Sequence, residues 1–213
     1  IFRGSNPNNY VKLGASADSY RIISLNKKEK TIKLVKITPE SSSYSTNNSN
    51  SFLESSVSSY LLNFITSGNA KDMQDKIVDG TKWKNGIIDL SESMSYEVLK
   101  SVEATSTVSN KVGLIQVSDY IVSSLDSTCL ANIASSNCKN SNYMATLFGK
   151  NAVWTMDNSS SGKVITIENN IITNHTLNTT SDITYRIYPV FYLKRSASIS
   201  SGNGTSSSPY IIK

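Results

Sequence analysis

The sequence predicts an α+β fold in one domain spanning residues 1–213. Three observations carry this. β-rich runs stand at both ends of the chain, helical periodicity is confined to the first two-thirds, and no linker or internal repeat divides the 213 residues. A chain of this length can bury one sizeable core. Leu, Ile, Val and Phe make up 53 of the 213 residues, above the share of about 20% below which disorder becomes the default.

The elements follow in order. The opening IFRGSNPNNYVKL sets an Asn-Pro-Asn-Asn turn between short apolar pieces. Tyr20 to Leu25 and Thr31 to Ile37 are β-rich runs around the charged Asn26–Lys30, which reads as a hairpin. Ile32, Leu34 and the Thr38 methyl fall on one face, Val35 and Ile37 on the other. A polar loop follows to Asn50. Ser51 with Glu54 is a capping-box pattern for a helix whose apolar residues are Leu53, Val57, Tyr60, Leu61, Phe64 and Ile65, with Gly68 as its stop. A shorter helix is predicted from Ala70 to Val78, ended by Gly80, and another from Tyr96 to Val102. Lys111 to Val117 reads as a strand, after which Ser118 and Asp119 can cap a short helix through Ser123.

Beyond a Ser- and Asn-rich loop that holds both cysteines, the pattern is β again. Val153 to Met156, Lys163 to Ile167, Ile171 to Asn174 and Ile183 to Lys194 are the runs, with turns at Ser159–Gly162 and a tight hairpin at Asn169-Asn170. SGNGTSSSPY is a turn that returns a last strand, Tyr210 to Ile212, so the terminal strands can pair with each other. The expected product is a mixed antiparallel sheet with two to four helices.

Ser, Thr and Asn supply 78 residues against 37 charged ones, so the surface is polar mainly through hydroxyls and amides. The net charge of +5 is spread without a polybasic arm, and no nucleic-acid partner is expected. No apolar run approaches the roughly 20 residues of a membrane span, so no membrane contact by this domain is expected either. Abundant Lys, Asn and Ile point to a low-GC bacterial gene. Cys129 and Cys138 have no companion metal ligands nearby. They form either a local disulfide or two buried thiols, and the polar composition, which suits a secreted protein, favours the disulfide.

Several short motifs occur in order along the chain: NPNNYV, Arg21-Ile22-Ile23, KVGLI…SDY, the cysteine pair, Val153-Trp154-Thr155, Pro189 to Lys194 and the closing SGNGTSSSPY. Together they resemble an uncharacterised extracellular domain of low-GC Gram-positive bacteria, found behind prepilin-like or other membrane-anchoring segments. The Trp-Thr, hairpins and Pro-Val strand are also similar to the C-type-lectin-like fold. That resemblance implies an extracellular, cell-surface or pilus location. Tyr20, Tyr143-Met144 and Tyr188 depart from the family's usual Trp, Trp-Leu and Arg. The Trp-Asn-Asp calcium signature of sugar-binding lectins is missing, because Thr155 and Met156 separate Trp154 from Asp157.

Catalytic machinery is sparse. The one histidine, His175, lies in a Thr/Asn-rich stretch where an exposed loop position is the favoured reading. Asp119, Asp126, Asp157, Glu168 and Asp182 could supply a carboxylate pair for glycoside cleavage, but acidic residues are too numerous for that to discriminate. Gly202-X-Gly204 opens no helix and reads as a turn, so no nucleotide cofactor is implied; no cofactor is expected, and no metal ligands are assigned, since oxygen ligands for calcium are plentiful but no recognised calcium loop is present. Lys33, Lys36 and Lys194 stand in predicted strands, where a lysine beside an Asp or Asn can form an isopeptide bond; solvated lysines are the favoured reading. Tyr143, Trp154, Asp157, Arg186 and Tyr188 are the candidate ligand-binding residues, since aromatic faces and polar tips suit sugars or peptides. For Trp154 a core position is favoured. The expectation is an adhesion domain without enzymatic activity, gripping a host or bacterial glycan or protein, with other pilin subunits as further partners. The alternatives are a ligand-free structural pilus subunit and a glycan hydrolase.

Overall fold

The β-rich runs at the two ends of the chain meet in one sheet. The computed structural model describes residues 1–14, 18–45, 49–66, 71–160, 162–177 and 183–213, with the backbone alone for 71 and 72. Strands β1 (Tyr10–Leu13), β2 (Ser19–Asn26) and β3 (Thr31–Lys36) run antiparallel in sequence order. β4 (Glu40–Ser42) leaves for a second sheet, and α1 (Ser56–Thr66) follows. Then come β5 (Lys82–Lys84), α2 (Tyr96–Glu103), β6 (Thr107–Ser109), β7 (Val112–Gly113), α3 (Val117–Ser123), α4 (Ser127–Ala131) and α5 (Tyr143–Phe148). The last third holds β8 (Ala152–Asn158), β9 (Lys163–Glu168), β10 (Ile171–Thr176), β11 (Tyr185–Ile187), β12 (Val190–Leu193), β13 (Ile199–Ser201) and β14 (Tyr210–Ile212). The architecture is α+β with mixed sheets.

The larger sheet has the order β13-β14-β1-β2-β3-β12-β7, the smaller β10-β9-β8-β11-β4, and β5-β6 form a separate ribbon. The terminal strands pair, in parallel: Val11 lies opposite Tyr210 and Leu13 opposite Ile212. The two terminal turns also clasp each other. Tyr10 N–H donates to the Gly204 carbonyl at 2.9 Å. Gly204 has φ +81°, and a Cβ there would stand 2.5 Å from the Asn8 carbonyl oxygen, so only glycine fits. The Asn-Pro-Asn-Asn turn is held from below by Arg21, whose Nε donates to Asn9 Oδ1 at 2.7 Å and whose guanidinium sits between the rings of Tyr10 and Tyr143.

Several expectations are refined. The apolar residues predicted on both faces of the second hairpin strand are accompanied by buried lysines: Lys33, Leu34, Val35 and Lys36 are all buried, because β3 is central, flanked by β2 and β12. The Ser51–Glu54 capping box does not form. Residues Phe52–Glu54 make a 3₁₀ turn, and α1 starts later, with Ser55 Oγ accepting from Ser58 N–H at 3.0 Å. Glu54 instead accepts from the Ser49 hydroxyl at 2.8 Å, and Leu53 is exposed. The predicted stop at Gly68 lies outside the described residues, as does Ala70; a 3₁₀ turn at Lys71–Lys76 stands where the second helix was expected. The run Ile183 to Lys194 is two strands in different sheets, parted at Tyr188-Pro189. The cysteine region is partly helical, with Asp126 capping α4 and Asn142 capping α5 through their side chains.

Candidate functional site

Lys33, on β3, is the centre of a charged cluster inside the protein. Strand period places its side chain on the sheet face covered by Trp83 and α3. Its Nζ lies 2.9 and 2.7 Å from the two oxygens of Asp119 and 3.0 Å from Gln116 Oε1. The rings of Trp83 and Tyr192 cover the ammonium, with centroids 5.5 and 5.6 Å away. Trp83 can lie there because Gly113 has no side chain: a Cβ would stand 2.7 Å from the indole.

Three carboxylates converge on successive N–H groups at the start of α3. Asp119 accepts from Gln116 at 3.1 Å, Asp157 from Val117 at 2.7 Å and Glu103 from Ser118 at 2.9 Å. Helix starts leave these donors free, so each carboxylate satisfies a group that would otherwise be buried unpaired. One ammonium faces three acids. Burial accordingly drives the Asp157 carboxyl well above its ordinary range, with the nearby Glu103 charge adding to the shift, and burial raises Glu103 as well. Asp157 Oδ1 has no hydrogen-bond partner among the described residues, so half of this buried carboxyl is unsatisfied. For Lys33, burial works to lower the pKa, but Asp119, Tyr192 and Glu103 outweigh it and the net direction is upward.

The sequence-predicted ligand residues are not gathered into one surface. Tyr143, Trp154, Asp157 and Tyr188 are each no more than 1% exposed. Tyr143 stacks on Arg21, Tyr188 packs on Phe148 and donates to the Leu147 carbonyl, and Asp157 belongs to the cluster above. Trp154 is a core residue that stacks on Tyr185 at 4.4 Å and donates to the Ser42 carbonyl. Arg186 alone is exposed, and it donates to Ser41 Oγ at 2.7 Å. His175 is a strand residue of β10 and only half-exposed, contrary to the loop reading: its ring meets Trp154 edge-on and its Nδ1 is 3.2 Å from the Tyr185 hydroxyl. Lys33 and Lys36 are buried, which corrects their reading as solvated; Lys36 pairs with Glu40 at 2.6 Å. Glu103 was missed altogether. The cysteines form the disulfide Cys129–Cys138.

What opens to solvent lies elsewhere. A depression of about 490 Å³ lies between the loop at 87–91 and Ser159, Ser160 and Lys163, with Asn174 of β10 also in its lining. Its walls are fixed by backbone pairing, since Ile88 N–H donates to the Asn158 carbonyl at 2.9 Å and Lys163 N–H to Ser160 at 2.9 Å. Ile87 is 62% exposed on one wall. Asp89 is held below the usual carboxylate range by hydrogen bonds from Ser91, so it stays ionised opposite Lys163. The groove thus offers an apolar contact, hydroxyls, an amide and one charge of each sign. Among the described residues no group of three or more His, Cys, Asp or Glu is placed to hold a metal ion. Set beside models of protein families, curated proteins and solved structures, the chain gives no match, so its function is argued from its own residues.

Proposed function

We propose that this is an extracellular binding domain of a bacterial cell-surface or pilus-like protein, which takes a glycan, or a protein segment of similar polarity, in the groove between residues 87–91 and Ser159, Ser160 and Lys163. The observation that carries this reading is the groove lining: Ser91, Ser160 and Asn174 supply hydrogen bonds, Asp89 and Lys163 supply opposite charges, and Ile87 supplies area. The titratable groups with the most altered environment, by contrast, sit inside, closed off by Trp83 and Tyr192. The location is supported by the disulfide. No helix among the described residues is long and apolar enough to cross a membrane, which is compatible with that location.

An array of bacterial and host glycans together with matrix proteins tests this. The reading expects a hit whose affinity falls roughly tenfold to a hundredfold in Lys163→Ala, the loss of one charge-assisted hydrogen bond. Silence across the array, with self-association in solution, would overturn it in favour of a structural subunit.

A further inference from the structure

We propose a second binding site, independent of the groove at 87–91, that takes an acidic saccharide: a hexose unit carrying a carboxylate. It is a depression of about 430 Å³ between the tip of the β2–β3 hairpin and the turn at 78–82, with Tyr192 of β12 in its lining. Backbone pairing fixes both walls. Val78 N–H donates to the Tyr192 carbonyl and Lys194 N–H to the Lys76 carbonyl, both at 2.8 Å, and Asn110 N–H donates to the Thr81 carbonyl at 3.1 Å. On the hairpin wall Asn26 pairs with Thr31 across the strands, and its Oδ1 accepts from the N–H groups of Lys28 and Glu29, each at 3.1 Å.

The lining suits a sugar ring. Tyr192 supplies aromatic area. Glu29 is oriented by the Asn26 amide, which donates to its Oε2 at 3.0 Å, and its other oxygen is placed to accept from sugar hydroxyls. Thr31 Oγ1 has no hydrogen-bond partner among the described residues, so this hydroxyl has nothing to give up when it rotates toward a ligand. Charge then selects the kind of sugar. Lys82 is exposed on the wall facing Glu29, and Lys27, Lys28 and Lys30 are exposed on the hairpin tip. None of the four joins an ion pair among the described residues, whereas Asp79, in the facing turn, is already paired with Lys111 at 2.7 Å. The mouth therefore carries uncompensated positive charge that draws in an anion. Glu29 repels that anion from the hairpin side, which directs its carboxylate to Lys82 and leaves the hydroxyls for Glu29. The groove at 87–91 has one charge of each sign and no such preference.

Backbone-amide NMR titration of the folded chain tests this, with glucuronate against glucose and galacturonate against galactose. Each pair differs only in a carboxylate that replaces a hydroxymethyl group. At least one uronate should shift the amides of Thr31, Gly80, Thr81 and Lys82, and its neutral partner should bind about tenfold more weakly or worse, the loss of one charge-assisted hydrogen bond. Lys82→Ala, at an exposed position, should bring the two affinities together, and added salt should weaken the uronate alone. Equal affinities of acid and neutral sugar overturn the proposal, as does a preference that survives in Lys82→Ala, or the absence of shifts at these amides with both uronates. Shifts confined to residues 87–91 overturn it too while leaving the first groove standing, and shifts confined to the hairpin and the turn at 78–82 do the reverse.

Discussion

Asp157 shows how much of this protein's character is set by single buried groups. Its Oδ2 accepts from Val117 N–H while Oδ1 is left unpartnered, and burial raises its carboxyl well above the ordinary range of about 4. A carboxyl whose folded pKa exceeds its unfolded one contributes stability that is complete below the unfolded value. That contribution is lost as pH rises through the folded value. Glu103 shifts the same way, so the contribution of these two carboxyls should be lost on going from acid into neutral pH. Asp157→Asn keeps an acceptor for Val117 and has no proton to lose. Urea unfolding of wild type and variant across about pH 4 to 8 checks this: the variant should show a shallower fall, whereas two parallel curves would contradict the assignment. Lys33, Asp119 and Asp157 were all visible in the sequence as titratable residues of interest. What joins them was not, because their contacts cross 40 to 86 positions of chain and depend on sheet pairing. Glu103 stands just past the helix predicted from Tyr96 to Val102 and was not singled out; only the packing of α2 on α3 buries it.

At the scale of elements, local signals were legible and sheet membership was not. The Asn169-Asn170 hairpin was readable because both residues take positive φ, 50° and 65°, which asparagine tolerates. The β2–β3 hairpin and β14 were likewise readable from β-branched runs between polar turns. The run Ile183 to Lys194 was not divisible by propensity. Pro189 ends β11 in one sheet, its carbonyl receives Lys36 N–H at 3.0 Å, and β12 starts in the other sheet. Strand β7 is short because it serves chiefly to lay Gly113 under Trp83, whose Nε1 is tied to the Asn110 carbonyl at 2.9 Å. Gly113→Ala forces the indole off the backbone and should cost about 1–3 kcal/mol, the usual range for overpacking. Denaturant melts check it, with an accompanying shift in tryptophan fluorescence; an unchanged midpoint would show that Trp83 is not held as described.

The whole molecule is a body whose two ends are fastened together and whose strongest electrostatic features face inward. β1 and β14 pair, the N-terminal turn is clasped through Gly204, and Arg21 locks that turn to the sheet. This explains why the ordered motifs at the two ends of the sequence stand out: they are the two halves of one junction. It also explains why the aromatic and charged residues that looked best suited to a ligand turned out to be interior, since Trp, Tyr and Asp carry the same signal in a core network as in a binding site. The groove was not legible because its walls come from segments about 70 residues apart that meet at the Ile87–Asn158 bridge. The most direct test of the binding reading is a backbone-amide NMR titration with the best array hit. Shift changes should centre on residues 87–91, Lys163 and Asn174 and leave the Lys33–Asp119 region still. Changes centred instead on Arg186 and Tyr185, or spread through the interior, would contradict it.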